Sequence, residues 1–236
     1  MSEALLQVRN LDAYYREFKA LFDISLHVNE GEVLAIIGSN GAGKSTLLNS
    51  VVGLIKNDPE MIRYRGEAIG GFDAFDVVAR GISLVPEGRR LFPSLSVEEN
   101  LIIGGENARE GRWSLEKIYE LFPILKELRH QQSTSLSGGQ QQMTAIGRAL
   151  MANPDLILFD EISLGLAPVV IKDIYTILPN IVKDGMSAII VEQDIHQALA
   201  ASHRVVCLQE GHVSLEGTTD TVTREEITNA YFGFDA

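Results

Sequence analysis

Residues 33–46 read Val33-Leu34-Ala35-Ile36-Ile37-Gly38-Ser39-Asn40-Gly41-Ala42-Gly43-Lys44-Ser45-Thr46, and this stretch decides the fold. Five apolar residues without a polar break describe a strand buried on both faces, as in a parallel sheet. The glycines that follow let backbone N–H groups turn inward around phosphates. Lys44 then reaches the β- and γ-phosphates, and the Ser45 hydroxyl binds Mg²⁺. From Thr46 to Val52 the pattern is helical, so strand, glycine loop and helix follow in the order a phosphate site requires. By composition alone such a motif arises in roughly one chain in a hundred of this length, which leaves an ordinary glycine turn little room.

Outward from the loop, similar apolar runs recur at 82–85, 156–159, 188–191 and 205–208, further strands of a sheet covered on both faces. Phe22, Ile24, Leu26 and Val28 instead alternate with Asp23, Ser25 and His27, the period of a half-buried antiparallel strand. Asn29-Glu30-Gly31 turns that strand toward residue 33. Between Pro86 and Ala152 the character is helical. Leu115, Ile118, Tyr119 and Phe122 form one stripe on a helix that Pro123 ends or kinks. Asp184-Gly185 separates a helical stretch from its strand, Glu210-Gly211 marks a tight turn between two strand-like runs, and the tail from Thr218 reads as a short helix. No internal repeat, low-complexity tract or long linker is visible.

Leu136-Ser137-Gly138-Gly139-Gln140 opens another helical pattern with a second set of anion-seeking N–H donors. One nucleotide cannot readily use both sets within one small domain; two copies of the chain, head to tail, can. Leu156-Ile157-Leu158-Phe159-Asp160-Glu161 brings two acids to the end of a buried strand. Beside a phosphate loop, Asp160 suits the metal, while Glu161 points elsewhere and can accept a proton from an attacking water. Without the loop, the same pair would read as a solvated strand end.

Together these motifs resemble the ATP-binding cassette ATPases over nearly the whole chain, and Leu136–Gln140 matches that family's signature letter for letter. The resemblance implies an α/β fold of the P-loop NTPase (RecA-like) type, with a parallel-sheet core and an antiparallel β edge. A helical subdomain, roughly residues 87–151, would be inserted in a single nucleotide-binding domain spanning 1–236. Two cassettes would sandwich two ATP molecules, each held with Mg²⁺ between one subunit's residues 38–46 and the other's Ser137, Gly138, Gly139 and Gln140. Tyr15 takes the place of the aromatic residue that stacks on adenine, with Tyr14 the other candidate. Membrane permease subunits would dock on the helical subdomain.

Three positions depart from the general family. Where most members carry glutamine after the apolar strand, the chain reads Val85-Pro86-Glu87-Gly88-Arg89-Arg90. Where a histidine usually contacts the γ-phosphate, it reads Val191-Glu192-Gln193-Asp194. After Glu161 it has Ile162-Ser163-Leu164-Gly165-Leu166-Ala167-Pro168, with Ala167 where aspartate is common. These spellings, with Glu98-Glu99-Asn100-Leu101 and residues 145–151, are similar to the ATPase subunits of branched-chain amino acid importers, the LivF type. Ile162 stands where that group has proline, and Asp194 where it often has asparagine. By this resemblance Glu161, Gln193 and Lys44 carry catalysis, and Ser45, Asp160 and Glu87 lie at the metal. A carboxylate is repelled by triphosphate, so Glu87 would reach it through metal or water; a surface glutamate at the subdomain boundary is the plain alternative. Gln193 can donate and accept hydrogen bonds but cannot titrate near neutrality, as a histidine can. Arg89 and Arg90 either pair with acidic groups of a membrane partner or stand solvated, and His196 reads as a helix-surface residue.

Composition bounds the rest. With 236 residues, 45% hydrophobic and 22% charged, the chain can build a real core. A net charge of −12 argues against nucleic-acid partners, whose binders present a basic face. The single cysteine, Cys207, lies in an apolar run and reads as a core thiol in a reducing compartment. Residues 1–6 show no secretory signal, and no apolar run approaches the ~20 residues of a membrane span. The five histidines show no metal-ligand spacing, and no Ser-His-Asp order has supporting context. The expectation is a cytoplasmic ATPase subunit, peripheral on the inner face of the cell membrane through permease subunits. It would pair with a second ATPase subunit, another copy or a sister chain. The alternative is a soluble cassette ATPase that moves no solute, such as an iron–sulfur assembly scaffold ATPase; the spellings at 85–90 and 191–193 count against it.

Overall fold

The continuous apolar runs end up in one sheet and the alternating run over 22–28 in another. The computed structural model describes residues 4–106 and 108–232, so residues 1–3, used above in the search for a signal, lie outside it. The chain opens with an antiparallel hairpin, β1 (Leu6–Tyr15) and β2 (Phe18–Val28), and passes through β3 (Val33–Ile37) into α1 (Lys44–Val51). Two short strands, β4 (Ile62–Tyr64) and β5 (Glu67–Ala68), rejoin the hairpin to make a four-stranded antiparallel sheet of order β2-β1-β4-β5. Next come α2 (Ala74–Ala79) and β6 (Ile82–Val85), then four helices: α3 (Val97–Gly104), α4 (Leu115–Leu121), α5 (Pro123–Glu127) and α6 (Gly138–Leu150). The remainder alternates: β7 (Leu156–Asp160), α7 (Pro168–Val182), β8 (Ser187–Glu192), α8 (Ile195–Ala200), the hairpin β9 (Arg204–Gln209) and β10 (His212–Thr218), and α9 (Arg224–Phe232).

The second sheet has six strands in the order β10-β9-β3-β8-β7-β6, parallel except where β10 folds back on β9 at its edge. Every residue of β3, β7 and β8 is buried, as unbroken apolar runs require. One face packs with α1 against the antiparallel sheet; the other is covered by residues of α3 to α7. A third, smaller cluster joins Ala35, Ile37 and Val205 to Ala198 of α8 and Ile227 of α9, and it contains Cys207. Burial raises that thiol to about 12, so it stays protonated and apolar. Phe159 is 0% exposed, and burying a side chain of this size is worth about 1.5–3 kcal/mol.

Register is what positions the site. Ile37 lies opposite Glu192 of β8, and Asp160 of β7 lies opposite Val191. Gly38, Glu161 and Gln193 therefore leave three adjacent strands at one level, on the carboxyl edge where ligands of open α/β sheets bind. β6 pairs with β7 through Val85 opposite Phe159, which brings Pro86-Glu87 to the same edge. Pro123 occupies the first turn of α5, directly after Phe122 closes α4, so the predicted stripe lies on α4 and its C-cap and the proline ends that helix.

Candidate active site

The phosphate loop turns tightly because its glycines allow it. Gly43 has φ 102°, and a Cβ there would meet the Leu21 side chain at 2.5 Å. A Cβ on Gly38 would strike the Leu208 carbonyl at 2.4 Å. Gly43 is the N-cap of α1 and offers no side chain, so the first N–H groups of the helix have no cap and remain donors for an anion.

A cleft of about 770 Å³ opens over this loop. Asn40, Gly41, Gly43, Lys44, Ser45 and Thr46 line it, with Glu87, Glu161 and Gln193 from the neighbouring strand ends. Tyr15 lines it too, 48% exposed, its hydroxyl 3.4 Å from Thr46 Oγ1. Tyr14 does not; the Lys19 ammonium sits over its ring at 5.7 Å. Gly38 and Ser39 act from behind, their carbonyls accepting from Lys44 Nζ at 2.8 and 3.1 Å. Ala42, buried, hands its carbonyl to the Gly211 N–H at 3.1 Å, pinning the loop to the β9–β10 turn.

Lys44 also pairs with Glu161 at 3.2 Å, both nearly buried, and Gln193 Nε2 donates to Glu161 Oε2 at 2.5 Å. Glu161 has a left-handed backbone, φ 48°, which costs a non-glycine residue about 1–3 kcal/mol. Its N–H is anchored on the Val191 carbonyl at 3.0 Å. Ser45 Oγ donates to Asp160 Oδ1 at 3.1 Å. Burial, aided by the charges of Glu161 and Glu87 and opposed by the Ser45 hydrogen bond, pushes the Asp160 carboxyl up to about 6. Three acids thus gather round one lysine, a local shortage of positive charge that a divalent cation fits. Among the described residues no group of three or more side chains forms a ready metal cage. The Ser45 hydroxyl and the Asp160 carboxylate are oxygen donors of the kind Mg²⁺ takes, one or two from protein with the rest of its shell from phosphates and water.

Ser137, Gly138, Gly139 and Gln140 are not brought to this cleft. Ser137 caps α6: its Oγ accepts the Gln140 N–H at 3.3 Å, and its own N–H donates to Gln140 Oε1 at 2.9 Å. Arg89 is half-buried. It donates to Gln141 Oε1 at 3.2 Å and lies 3.3 Å from where a Gly138 Cβ would be. Arg148 of α6 holds the carbonyls of Arg90 and Arg89 at 2.8 and 3.0 Å. His196 is exposed on α8, as read. Sequence reasoning missed Phe18 and Lys19, which line the cleft beside Tyr15, and did not place Phe22 there. Aromatic residues interleaved with bases over 14–22 were the available signal. Among the described residues no helix is long and apolar enough to cross a membrane.

A family model described as ABC transporter matches residues 21–163. The high-affinity branched-chain amino acid transport ATP-binding protein BraG of Pseudomonas aeruginosa is 41% identical over 232 residues, 97% of this chain and 100% of BraG. The lipopolysaccharide export system ATP-binding protein LptB of Escherichia coli K12 is 32% identical, covering 98% of each chain. A nucleotide-free ATP-binding cassette from an ABC transporter superposes with a TM-score of 0.82 at 31% identity, covering 97% of this chain and 95% of its own. The dimeric post-hydrolysis structure of the cassette MJ0796, bound to ADP and Pi, gives 0.79 at 27% identity, over 91% and 98%.

Proposed function

The chain belongs to the ABC transporter family and is an ATPase, and from that premise we propose that it powers an importer of branched-chain or related amino acids. The similarity to BraG, which runs the length of both chains, carries this reading. The protein works from the cytoplasmic face of the membrane, held there by permease subunits that dock near Glu87 and on residues 87–151.

ATP enters the cleft with its adenine against Tyr15 and its triphosphate in the loop 38–46. Lys44 exchanges Glu161 for the β- and γ-phosphates, so the resting ion pair opens as nucleotide binds. Ser45 and Asp160, with Glu87 through water, would hold Mg²⁺, which would supply neutralisation of the phosphate charge. Glu161, released from Lys44, orients a water and takes its proton as the water oxygen bonds to the γ-phosphorus. The bond to the β–γ bridging oxygen breaks, and ADP and phosphate result. Gln193 keeps Glu161 aimed and donates to a γ-phosphate oxygen. Ser137, Gly138 and Gly139 of a second ATPase subunit, another copy or a sister chain, close over the same γ-phosphate. Binding closes the pair and hydrolysis opens it, a ligand-driven shift that moves the docked permease.

Recovery of the protein from detergent-solubilised membranes tests the assignment. A polytopic permease is expected to co-purify; capture of a soluble scaffold protein in its place rejects transport. The Gln193 role has its own test. Gln193→His should add an acid limb near pH 6.5 to the ATPase profile, because imidazole titrates there and carboxamide does not. Superimposable profiles would remove Gln193 from its role at the γ-phosphate.

A further inference from the structure

The end of β8 offers three consecutive groups to one segment, residues 161–163. The Val191 carbonyl takes the Glu161 N–H, and the Gln193 amide takes the Glu161 carboxylate. Between them Glu192, 1% exposed, is absent from the cleft lining. Its Oε1 accepts from the Ser163 N–H at 3.3 Å and from the Tyr175 hydroxyl of α7 at 2.7 Å. Its Oε2 accepts from the Ser163 hydroxyl at 2.6 Å. Among the described residues no lysine or arginine pairs with it. A buried carboxylate without a cation is an expensive way to fill space, so its three hydrogen bonds call for a reason.

Glu161 supplies one. Its left-handed backbone must be held from both sides, and Lys44 draws its carboxylate at 3.2 Å. We propose that Glu192 is a positioning residue for hydrolysis. It clamps Ser163, and α7 through Tyr175, to the end of β8, fixing the turn that aims Glu161 and the strand end that carries Gln193. The proposal rests on the reading of Glu161 as the general base. Burial raises the Glu192 carboxyl, while the bonds from Ser163 and Tyr175 pull it back. Burial against this carboxylate keeps the Tyr175 hydroxyl protonated and therefore a donor.

The clamp depends on hydrogen-bond geometry and not on charge. A carboxamide can present its oxygen to the Ser163 N–H and Tyr175, and its NH₂ to the Ser163 hydroxyl, which can accept. Glu192→Gln in the full chain should therefore keep kcat for ATP within ~3-fold of the parent. Glu192→Met should lose at least ~10-fold in kcat with KM within ~3-fold, because the phosphate loop is untouched. Ser163→Ala and Tyr175→Phe should each lower kcat without moving KM, and Ser163→Ala should add nothing to Glu192→Met, as for parts of one clamp. Parental kcat in Glu192→Met, or a Glu192→Gln variant as impaired as Glu192→Met, overturns the proposal. If Glu192→Met does not fold, parental kcat in both Ser163→Ala and Tyr175→Phe overturns it instead. Glu161→Gln separates this idea from its premise. Full turnover there defeats the general base itself, whereas an inert Glu161→Gln beside normal Glu192 variants defeats only the clamp.

Discussion

Glu161→Gln is expected to lower ATP turnover ~10²–10⁴-fold, the range for loss of a general base, while ATP still binds and the dimer stays shut. The geometry makes this substitution unusually clean. A glutamine oxygen can still face Lys44, 3.2 Å from the present carboxylate, and its NH₂ can meet Gln193 once the Gln193 carboxamide flips to present its oxygen in place of its NH₂. Backbone strain at φ 48° is the same for either side chain. What disappears is the charge and the capacity to take a proton. Affinity should hold or rise, because Glu161 no longer competes with the triphosphate for Lys44 or repels it. Titration with ATP and size-exclusion chromatography would report binding and trapped dimer; steady-state phosphate release would report turnover. Undiminished release would strip Glu161 of its role and return Asp160, Gln193 or water alone as the source of the nucleophile's activation.

Much of this was open to reading because parallel strands convert chain order into spatial neighbourhood. Once 33–37, 156–160 and 188–192 are strands of one sheet, their following residues meet at one edge. That is why Gly38 and Glu161 could be named beforehand, whereas Gln193 was named only through the family resemblance. β1 escaped because its alternation is broken: its pairing with β2 shifts register between Val8 and Leu11, between Leu11 and Ala13, and between Ala13 and Tyr14. Bulges of this kind erase the period-2 signal. β5, two residues long, carries no period at all. The Arg89 contact with α6 was not legible because nothing local announces that Arg89 and Arg90 both adopt left-handed backbone, φ 66° and 43°, which turns the first guanidinium onto α6. The Glu192 clamp joins residues from a strand end, a loop and a helix, and only the assembled fold brings them together.

A second large effect is expected at Ser137, where the obvious variant is the wrong one. Alanine would remove the cap of a 13-residue helix as well as any trans contact, at about 1 kcal/mol, and confuse folding with function. Aspartate caps as well as serine, and its charge suits the positive end of α6. Ser137→Asp should therefore melt no lower than the parent and bind ATP in the monomer as before, since no residue of 137–140 lines that cleft. In the proposed sandwich it nevertheless sets a carboxylate where the partner's γ-phosphate would arrive. ATP-driven dimerisation should vanish and turnover fall ~10²–10³-fold, the scale of losing preorganised anion donors. Mixing resolves cis from trans. Lys44→Ala, which should abolish tight nucleotide binding, and Ser137→Asp should each be inactive alone, but in the proposed sandwich a mixed pair places both lesions in one site and leaves the other intact. Random pairing should restore roughly a quarter of parental turnover, half the dimers having one sound site of two. Equal turnover of Ser137→Asp and the parent, in protein that stays monomeric, would mean that each chain fires on its own nucleotide and that the glycines after Ser137 serve only to start a helix.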